Sequence, residues 1–350
     1  MGVFDEYIKG GNPSQKEKSR AWKTAIGLQD VDGLKPSKYL LDAARQNIEG
    51  DITIEEVKNL LDTYYKSKSG REAADERTEE ADKVSARITE MLTEQTFNFS
   101  PDYLIQIHRR LFTGIYKEAG LIRTYNFTKK EWVLDGDTVL YSSYDMISRT
   151  LDYDFREEKS TDYSMLNALQ AIKHICKFIA GIWQIHPFCE GNTRTTAVFA
   201  IKYLRSFGFE IDNESFAENS WYFRNALVRA NYVNYTKSVS STPIFLERFF
   251  ENLLLGANHK LSNREMHISN TPAITTASSD ELRDAIDVSL DERAVLNVLK
   301  ADPKMTQEEL ASRIGKSLRT IKRITVSLTE KGLLKREHGK RNGIWKVIEE

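Results

Sequence analysis

Two apolar segments separated by a short polar one constrain the fold of this chain more than any other feature. Residues 165–185 carry apolar side chains around most of a helical circumference, which predicts a central, buried helix. Residues 194–206 form a second apolar helix that ends at Gly208. The polar segment HPFCEGNTRTTA, at residues 186–197, places an imidazole, a carboxylate, an amide and a guanidinium within one loop. The sequence therefore predicts a helical domain with a polar loop at its centre.

Length and composition bound the class of protein. A chain of 350 residues favours more than one domain, and its 40% hydrophobic residues are enough for sizeable cores. The net charge of -1 excludes a protein that binds nucleic acid or membrane through its overall field. Cys176 and Cys189 are too few for a disulfide framework. With no apolar run long enough to span a bilayer and no signal-peptide core, a cytoplasmic protein without membrane contact is expected.

Residues 1–98 are predicted to form an N-terminal helical region, although the Gly and Pro residues of the first forty positions predict an irregular lead-in there. Helical spacing over about 37–50 stops at Gly50, a natural C-terminal cap. The sequence Thr53-Ile-Glu-Glu56 is a capping box that opens the next helix. Two further helices are expected over 71–96 and 101–116.

The period of the sequence changes between residues 123 and 143. Residues 131–141 place β-branched and aromatic residues on both sides of Asp135-Gly136, a strong signal for a two-stranded turn. An isolated hairpin is marginal by itself. We therefore expect a small β-hairpin that serves as a flap on a helical core.

The C-terminal part of the chain has a different charge and pattern. Residues 270–280 are rich in Thr, Ser and Ala and lack any period, which is typical of a linker. Beyond them, two helices, a turn at Gly315, a third helix and an alternating hairpin predict a winged helix-turn-helix. The expected domains are a core over 99–260, a linker over 261–285 and a winged helix over 286–350.

The polar loop has the chemistry of a phosphate site. It precedes a helix N-terminus, where free N–H groups and the helix dipole favour an anion. Gly191 permits close approach, Asn192 braces the turn or donates a hydrogen bond, and Arg194 supplies a fork for phosphate oxygens. Glu190 beside an anion requires a bridging cation, so Mg²⁺ or Mn²⁺ is predicted. His186 has the ordinary pKa range of a general base.

Other interpretations of the loop are weaker. A Walker phosphate loop requires a lysine that is absent. A cysteine phosphatase requires five residues between Cys189 and Arg194, and only four are present. A zinc site would need neighbouring His or Cys ligands. A structural turn whose polar groups satisfy one another remains an alternative.

The segment HPFCEGNTR resembles the signature H-P-F-x-[DE]-G-N-G-R-x-x-R of the Fic family. Residues 119–123 before the predicted hairpin resemble the family's Gly-x-x-Arg and target-docking flap, and residues 226–231 resemble its nucleotide-side helix. The similarity covers about residues 35–255. The signature positions that match are His186, Pro187, Phe188, Glu190, Gly191, Asn192 and Arg194.

The resemblance implies a mainly α fold: a helical Fic core with a β-hairpin flap, followed by the winged-helix domain. It also implies transfer of AMP from ATP to a Tyr, Ser or Thr hydroxyl of a protein, self-modification included. In that family the motif histidine, here His186, is the general base, and the motif acid, here Glu190, holds Mg²⁺. The implied phosphate-binding residues are Gly191, Asn192, Thr193, Arg194 and Asn231. The implied target-docking residues are Trp132, Val133, Leu134, Val139 and Leu140.

The chain departs from the signature at two positions. Thr193 replaces a glycine, and Ala197 replaces the second arginine, which in the family contacts the γ-phosphate. Loss of one charge-assisted contact removes on the order of 1.5–3 kcal/mol. Doc-type relatives without that arginine transfer phosphate, so a Doc-like kinase is the alternative. The acid-Gly-Asn sequence resembles the adenylylating branch, which favours AMP transfer.

Residues 45–50 resemble the family's inhibitory helix, [ST]-x-x-x-E-[GN], except that Arg45 stands in place of Ser or Thr. The hypothesis that follows is that Glu49 obstructs the γ-phosphate position by charge repulsion. The alternative is that Glu49 is only a helix-end acid before Gly50.

The third helix of the winged-helix domain is predicted to bind duplex DNA. Its basic and polar residues lie off the apolar stripe, and two more basic residues lie in the wing. The alternatives to DNA binding are a protein-interaction module and a basic helix that is only solvated. The alternative to the enzyme is a DNA-binding regulator whose Fic core only senses nucleotide. A homodimer is one expected form of the protein. The predicted DNA contacts are Arg319, Thr320, Lys322, Arg323, Lys340 and Arg341.

Overall fold

The computed structural model describes residues 3–67, 73–209, 214–269, 288–337 and 343–348. It is mainly helical, as the sequence predicts. The irregular lead-in expected over the first forty residues is wrong, because residues 5–10 and 13–27 form helices, the second opened by a capping box at Asn12. The N-terminal helices are α1 Asp5–Gly10, α2 Pro13–Gly27, α3 Lys38–Glu49, α4 Ile54–Ser67 and α5 Ala73–Thr93, with a 3-10 turn, Leu28–Asp32, between α2 and α3. The central helices are α6 Pro101–Phe112, α7 Ile147–Ser160, α8 Ala168–Ile185, α9 Asn192–Ser206, α10 Glu214–Glu218, α11 Ser220–Asn231, α12 Ile244–Leu255 and α13 Asn263–Met266.

The C-terminal domain has the predicted winged helix-turn-helix order. Its elements are α14 Leu290–Ala301, α15 Gln307–Ile314, α16 Leu318–Glu330, β1 Leu334–Glu337 and β2 Ile344–Val347. The two strands are antiparallel, with Leu334 opposite Val347 and Glu337 opposite Ile344. The capping box between Thr306 and Glu309 begins α15, and Gly315 ends it in the left-handed conformation that favours glycine.

The helices of the central and C-terminal parts share one continuous apolar core. Its middle is α8, whose buried residues lie on most sides of the helix, as the sequence predicts. The Ala168 N–H donates to the Val288 carbonyl at 2.9 Å, which ties α8 to the winged helix. A smaller apolar core, around Trp22, Leu40 and Val57, stabilises the N-terminal helices.

Helix α9 runs parallel to α5 and is bound to it at both ends. Near its start, Arg194 Nη2 lies 2.6 Å from Glu80 Oε1. Near its end, Lys202 Nζ donates to the carbonyls of Met91 and Glu94, at 2.7 and 2.9 Å. These carbonyls belong to the last turn of α5 and the residue after it, where helical carbonyls lack partners within the helix. The first residues of α9 are therefore held in a fixed position.

The predicted flap does not form a β-hairpin. The Asp135-Gly136 turn is present, with φ of 57° and 81°, but residues 132–134 form a 3-10 turn and no strand ladder follows. Val133, Leu134 and Val139 are buried, and the Val133 carbonyl accepts from the Ile268 N–H at 2.9 Å. The alternation of the sequence therefore reflects burial against the core.

The linker begins later than the sequence suggests. Residues 263–269 pack on the core, with Met266 fully buried and the Asn225 side chain donating to Asn263 at 2.8 Å. Residues 270–287, which include the predicted linker 270–280, lie outside the described residues.

Candidate active site

His186 ends α8 in the left-handed conformation, with φ of 51°. Its Nδ1 lies 3.3 Å from the Trp183 carbonyl oxygen. A carbonyl only accepts hydrogen bonds, so Nδ1 carries the proton and Nε2 carries the lone pair. Nε2 is buried and has no hydrogen-bond partner among the described residues. The lone pair is therefore available to take a proton from a substrate.

Aromatic side chains surround the His186 ring. Tyr141 stacks on it at 3.9 Å between centroids, and Phe127 and Trp183 approach edge-on. Burial holds the pKa of His186 well below its ordinary value, and the charge of Lys129 lowers it further. The imidazole is therefore neutral at physiological pH, the state that a general base requires.

Arg123 and Asn192 brace the loop that follows His186. The Arg123 side chain donates from Nε to the His186 carbonyl at 2.8 Å. The Asn192 amide exchanges two hydrogen bonds with the Phe188 backbone, at 3.0 and 2.7 Å. Asn192 therefore braces the turn, one of the two roles that the sequence leaves open for it.

His108 holds the same loop from α6. Its Nδ1 accepts from the Gly120 N–H at 2.8 Å, its Nε2 lies 3.0 Å from the Glu190 carbonyl oxygen, and its ring stacks on Phe188 at 3.7 Å. Burial lowers the pKa of His108 to about 4. The neutral ring therefore accepts with one nitrogen and donates with the other.

Gly191 is the N-cap of α9, with φ of 74°. A Cβ at this position would lie 2.4 Å from the Phe112 ring. Both the backbone conformation and the lack of space therefore require glycine here. The next residue but one, Thr193, accepts a hydrogen bond from Trp183 Nε1 at 3.0 Å, which ties the start of α9 to the end of α8.

The Glu190 carboxylate faces a cation. Its Oε2 lies 2.8 Å from the Lys129 ammonium, and its side chain is 57% exposed. Deeper in the site, Arg224 makes two contacts with the buried carboxylate of Glu131, at 2.7 and 3.0 Å. None of these three partners was predicted from the sequence, although the charged run Lys129-Lys130-Glu131 lies at the start of the predicted flap.

Arg194 is buried, and side chains of the N-terminal region bind its guanidinium. Nη2 contacts Glu80 at 2.6 Å, and Nη1 donates to Gln29 at 3.0 Å. Nε lies 2.9 Å from Asp32 Oδ2, an ion pair with poor hydrogen-bond geometry. The guanidinium also lies over the Phe112 ring at 4.8 Å. The residue predicted to bind phosphate is therefore already neutralised.

The cavity at the site is small because the N-terminal region packs against Arg194. His186, Gly191, Asn192 and Thr193 line it together with Asp32. Its volume is about 20 Å³, close to the space that one water molecule needs. A triphosphate does not fit while the Leu28–Asp32 turn stays in place.

Two predicted site residues lie elsewhere. The Asn231 amide donates to the carbonyls of Ala180 and Leu227, at 2.9 and 3.0 Å, so it joins α11 to α8. The exposed Glu49 carboxylate accepts a hydrogen bond from the Tyr7 hydroxyl and does not line the cavity. Asp32-Gly33 has the same acid-glycine ending as Glu49-Gly50, a signal that sequence analysis passed over.

The predicted target-docking residues divide into two groups. Trp132 and Leu140 are exposed, Leu140 to 84%, and can contact another protein. Val133, Leu134 and Val139 are buried in the core, so their side chains do not face a target in this structure.

The outer face of α16 carries exposed cations. Arg319, Lys322 and Arg323 make no ion pair with any described residue. The Thr320 N–H donates to the hydroxyl of Ser317, so Thr320 contributes to the helix cap. Lys340 and Arg341, predicted for the wing, lie outside the described residues.

Comparisons with known proteins agree with this geometry. The sequence model of the Fic/DOC family matches residues 98–204, and that of a winged helix-turn-helix DNA-binding family matches residues 292–335. The probable protein adenylyltransferase y4lH of Sinorhizobium fredii (strain NBRC 101917 / NGR234) is 31% identical over 126 residues, which cover 35% of this chain. The chain spans 61% of the length of that relative.

A solved structure, a Fic family protein from Desulfovibrio desulfuricans G20, aligns over 100% of this chain and 91% of its own, with 13% identity and a TM-score of 0.42. Of the described helices, none combines the length and the apolar character needed to cross a bilayer. The sequence matches, together with the loop between α8 and α9, identify residues 98–204 as a Fic/DOC family domain, joined in this chain to a winged helix-turn-helix.

Proposed function

We propose that this chain transfers AMP from ATP to a Tyr, Ser or Thr hydroxyl of a protein. The observation that carries the proposal is the state of His186: a buried neutral imidazole whose Nε2 lone pair has no partner among the described residues. Such a group accepts the hydroxyl proton as the oxygen attacks the α-phosphorus, while the bond between the α- and β-phosphates breaks and pyrophosphate leaves. The exposed Trp132 and Leu140 beside the site are the surface that a protein target would contact.

The start of α9 supplies the phosphate site in this proposal. Its first backbone N–H groups have no intrahelical partners, and the helix dipole favours an anion there. Gly191 lets phosphate oxygens approach closely, while Asn192 keeps the loop in shape. Arg194 takes the β-phosphate once Asp32 has left its guanidinium.

The residues present fit a divalent cation. The Glu190 carboxylate already faces a positive charge, the Lys129 ammonium at 2.8 Å. No cluster of three His, Cys, Asp or Glu side chains occurs within the described ranges, and Mg²⁺ at nucleotide sites takes one or two carboxylates plus phosphate oxygens and water. Glu190 would hold the ion, which when bound neutralises phosphate charge. The donor set therefore agrees with Mg²⁺ delivered with ATP.

Self-inhibition is the second part of the proposal, with a different residue from the predicted one. Asp32 binds Arg194 and lines the cavity, whereas Glu49 lies on Tyr7. The Asp32 carboxylate is bound to the Arg194 guanidinium, where a phosphate of ATP would otherwise bind. Removal of this carboxylate should therefore raise transfer, and removal of Glu49 should not.

The test is intact-mass analysis of the full chain after incubation with ATP and Mg²⁺. We expect Asp32→Ala to gain AMP at least about tenfold faster than wild type, the effect of about 1.4 kcal/mol on the barrier. Glu49→Ala, the matched control, should equal wild type. Addition of His186→Ala to Asp32→Ala should lower the rate by about 10²–10⁴-fold, since a general base contributes that much.

Three results contradict parts of this proposal. A mass increase equal to phosphate would establish the Doc-like kinase instead. Equal rates for Asp32→Ala and wild type would remove the self-inhibition. No transfer by any variant, with nucleotide still bound, would favour a regulator whose Fic domain senses nucleotide.

The unpaired cations of α16 favour a second function for the winged-helix domain, the binding of duplex DNA. Arg319, Lys322 and Arg323 lie on one exposed face, as a helix that enters the major groove requires. Affinity should fall steeply with salt concentration, because phosphate contacts release counterions. A weak affinity that does not change with salt would instead favour a protein-interaction domain.

A further inference from the structure

A second cavity lies between α2, the end of α9 and the winged helix. Its volume is about 970 Å³, within the range of about 300–1,000 Å³ that small-molecule sites occupy. It is far larger than the cavity at His186, which holds about 20 Å³. The size suits a ligand such as a nucleotide and excludes a DNA duplex.

Basic side chains reach this cavity from three of the helices that line it. Lys16 and Arg20 come from α2, Lys202 and Arg205 from α9, and Arg313 from α15. These helices are far apart in the sequence, and the tertiary fold brings their basic residues together. The cavity therefore carries a positive field that no single element accounts for.

Carboxylates in the lining do not cancel this charge. Glu17, Glu94 and Asp302 also line the cavity, fewer than the basic residues. Arg110 binds both oxygens of Glu94, at 2.7 and 2.5 Å, and lowers the pKa of that carboxyl. Glu94 is thus neutralised by a residue that does not line the cavity, and an excess of positive charge remains.

Lys202 is a buried cation in the lining of the cavity. Its ammonium donates to two backbone carbonyls, and no carboxylate of a described residue lies within ion-pair distance. Burial lowers its pKa to about 8. Two of its three N–H donors are used, so the ammonium is held in place with capacity for one more acceptor.

The two α2 cations that line the cavity, Lys16 and Arg20, can complete such a site. Neither Lys16 nor Arg20 forms an ion pair with any residue that the structure describes. Arg20 is exposed and Lys16 is half-buried. Together with Lys202 they place both fixed and adaptable donors around one space, the combination used to bind phosphate groups.

We propose that this cavity is a binding site for a small polyphosphate anion, free or as part of a nucleotide. The site is separate from the one at His186, since the two share no lining residue. Helix α2 continues directly into the Leu28–Asp32 turn. A ligand bound here therefore contacts the same helix that carries Asp32 to Arg194.

The test uses inorganic tripolyphosphate and ADP as probes, each titrated calorimetrically into the full chain without Mg²⁺. We expect Lys16→Gln and Arg20→Gln each to weaken tripolyphosphate binding about tenfold, the effect of one lost charge-assisted contact. Lys66→Gln removes an exposed charge of α4 outside the cavity and should leave the affinity unchanged. Thermal unfolding of each variant verifies that the exposed substitutions leave the fold intact.

Each result is decisive. Equal affinity of Arg20→Gln, Lys16→Gln and wild type would overturn the proposal. So would binding that is lost in Lys129→Gln but kept in Arg20→Gln, because the anion would then sit at His186. Tighter binding of ADP than tripolyphosphate, with the same sensitivity to Arg20→Gln, would identify a nucleotide as the ligand. Because binding is measured without catalysis, failure of AMP transfer would leave this result unaffected.

Discussion

The active-site region and the outer face of α16 both carry basic side chains, but those of the first are ion-paired and those of the second are not paired within the part of the chain that the structure describes. Around His186, Arg194 is bound by Asp32 and Glu80, Arg224 by Glu131, and Lys129 by Glu190. On α16, Arg319, Lys322 and Arg323 have no acidic partner among the described residues. In the first region, charge stabilises the closed protein. In the second, it is available to a ligand.

The largest expected difference concerns stability. Arg194→Met should lower the free energy of unfolding by about 3 kcal/mol, because the largely buried Glu80 loses its cation and the partly exposed Asp32 loses its partner. Arg319→Met, the matched control on α16, should change it by less than about 0.5 kcal/mol. Urea denaturation measures both. Equal effects would break the distinction between the two regions.

The pH dependence of stability extends the comparison to a buried neutral group, the His108 imidazole. His108 has a pKa of about 4 in the folded protein against a reference of 6.5. The unfolded chain therefore binds its proton first, and stability falls as the pH drops from about 6.5 toward 4. At about 1.4 kcal/mol for each pH unit, the loss is on the order of 3 kcal/mol.

The measurement compares urea unfolding at pH 7 and pH 4.5 for wild type and His108→Gln, which keeps an acceptor and a donor. We expect a smaller loss of stability on acidification in the variant. His267→Gln, which removes a partly exposed imidazole, should behave as wild type. An unchanged loss in His108→Gln would show that other groups govern the acid sensitivity.

The smallest expected effect is on DNA binding. Arg323→Gln should reduce the slope of log affinity against log salt concentration by about 1, since one phosphate contact is lost. Lys316→Gln is the control, because Lys316 is already paired with Asp291 at 3.0 Å. Fluorescence anisotropy with duplex DNA at several salt concentrations gives both slopes. A larger change for Lys316→Gln would contradict the assignment of free and committed charges.

The features that depend on residues close together in the sequence were predicted correctly. The capping box between Thr53 and Glu56 forms as expected, with the Thr53 N–H donating to Glu56 at 2.7 Å. Helices α8 and α9 begin and end close to the predicted positions, because apolar period and cap residues are local signals. The loop of His186 follows from the same two helix ends.

Contacts between residues that are far apart in the sequence could not be predicted from local sequence patterns. Glu80 reaches Arg194 across 114 residues, and Arg224 reaches Glu131 across 93. The alternation around Asp135-Gly136 is the same for a paired strand and for a turn packed on the core, so it predicted a hairpin that is absent. Two acid-glycine pairs occur in the N-terminal region, and only tertiary structure shows that Asp32 faces the site.

The attachment of α9 to α5 at both ends has a consequence for the cost of activation. In the proposed mechanism, His186 and the start of α9 belong to a frame that keeps its position, and the five-residue turn Leu28–Asp32 is the part that withdraws. The turn carries the buried side chains of Leu28 and Val31, so its withdrawal exposes apolar surface. A bound molecule must therefore prefer the withdrawn arrangement by more than the free energy that this exposure costs in order to switch the population.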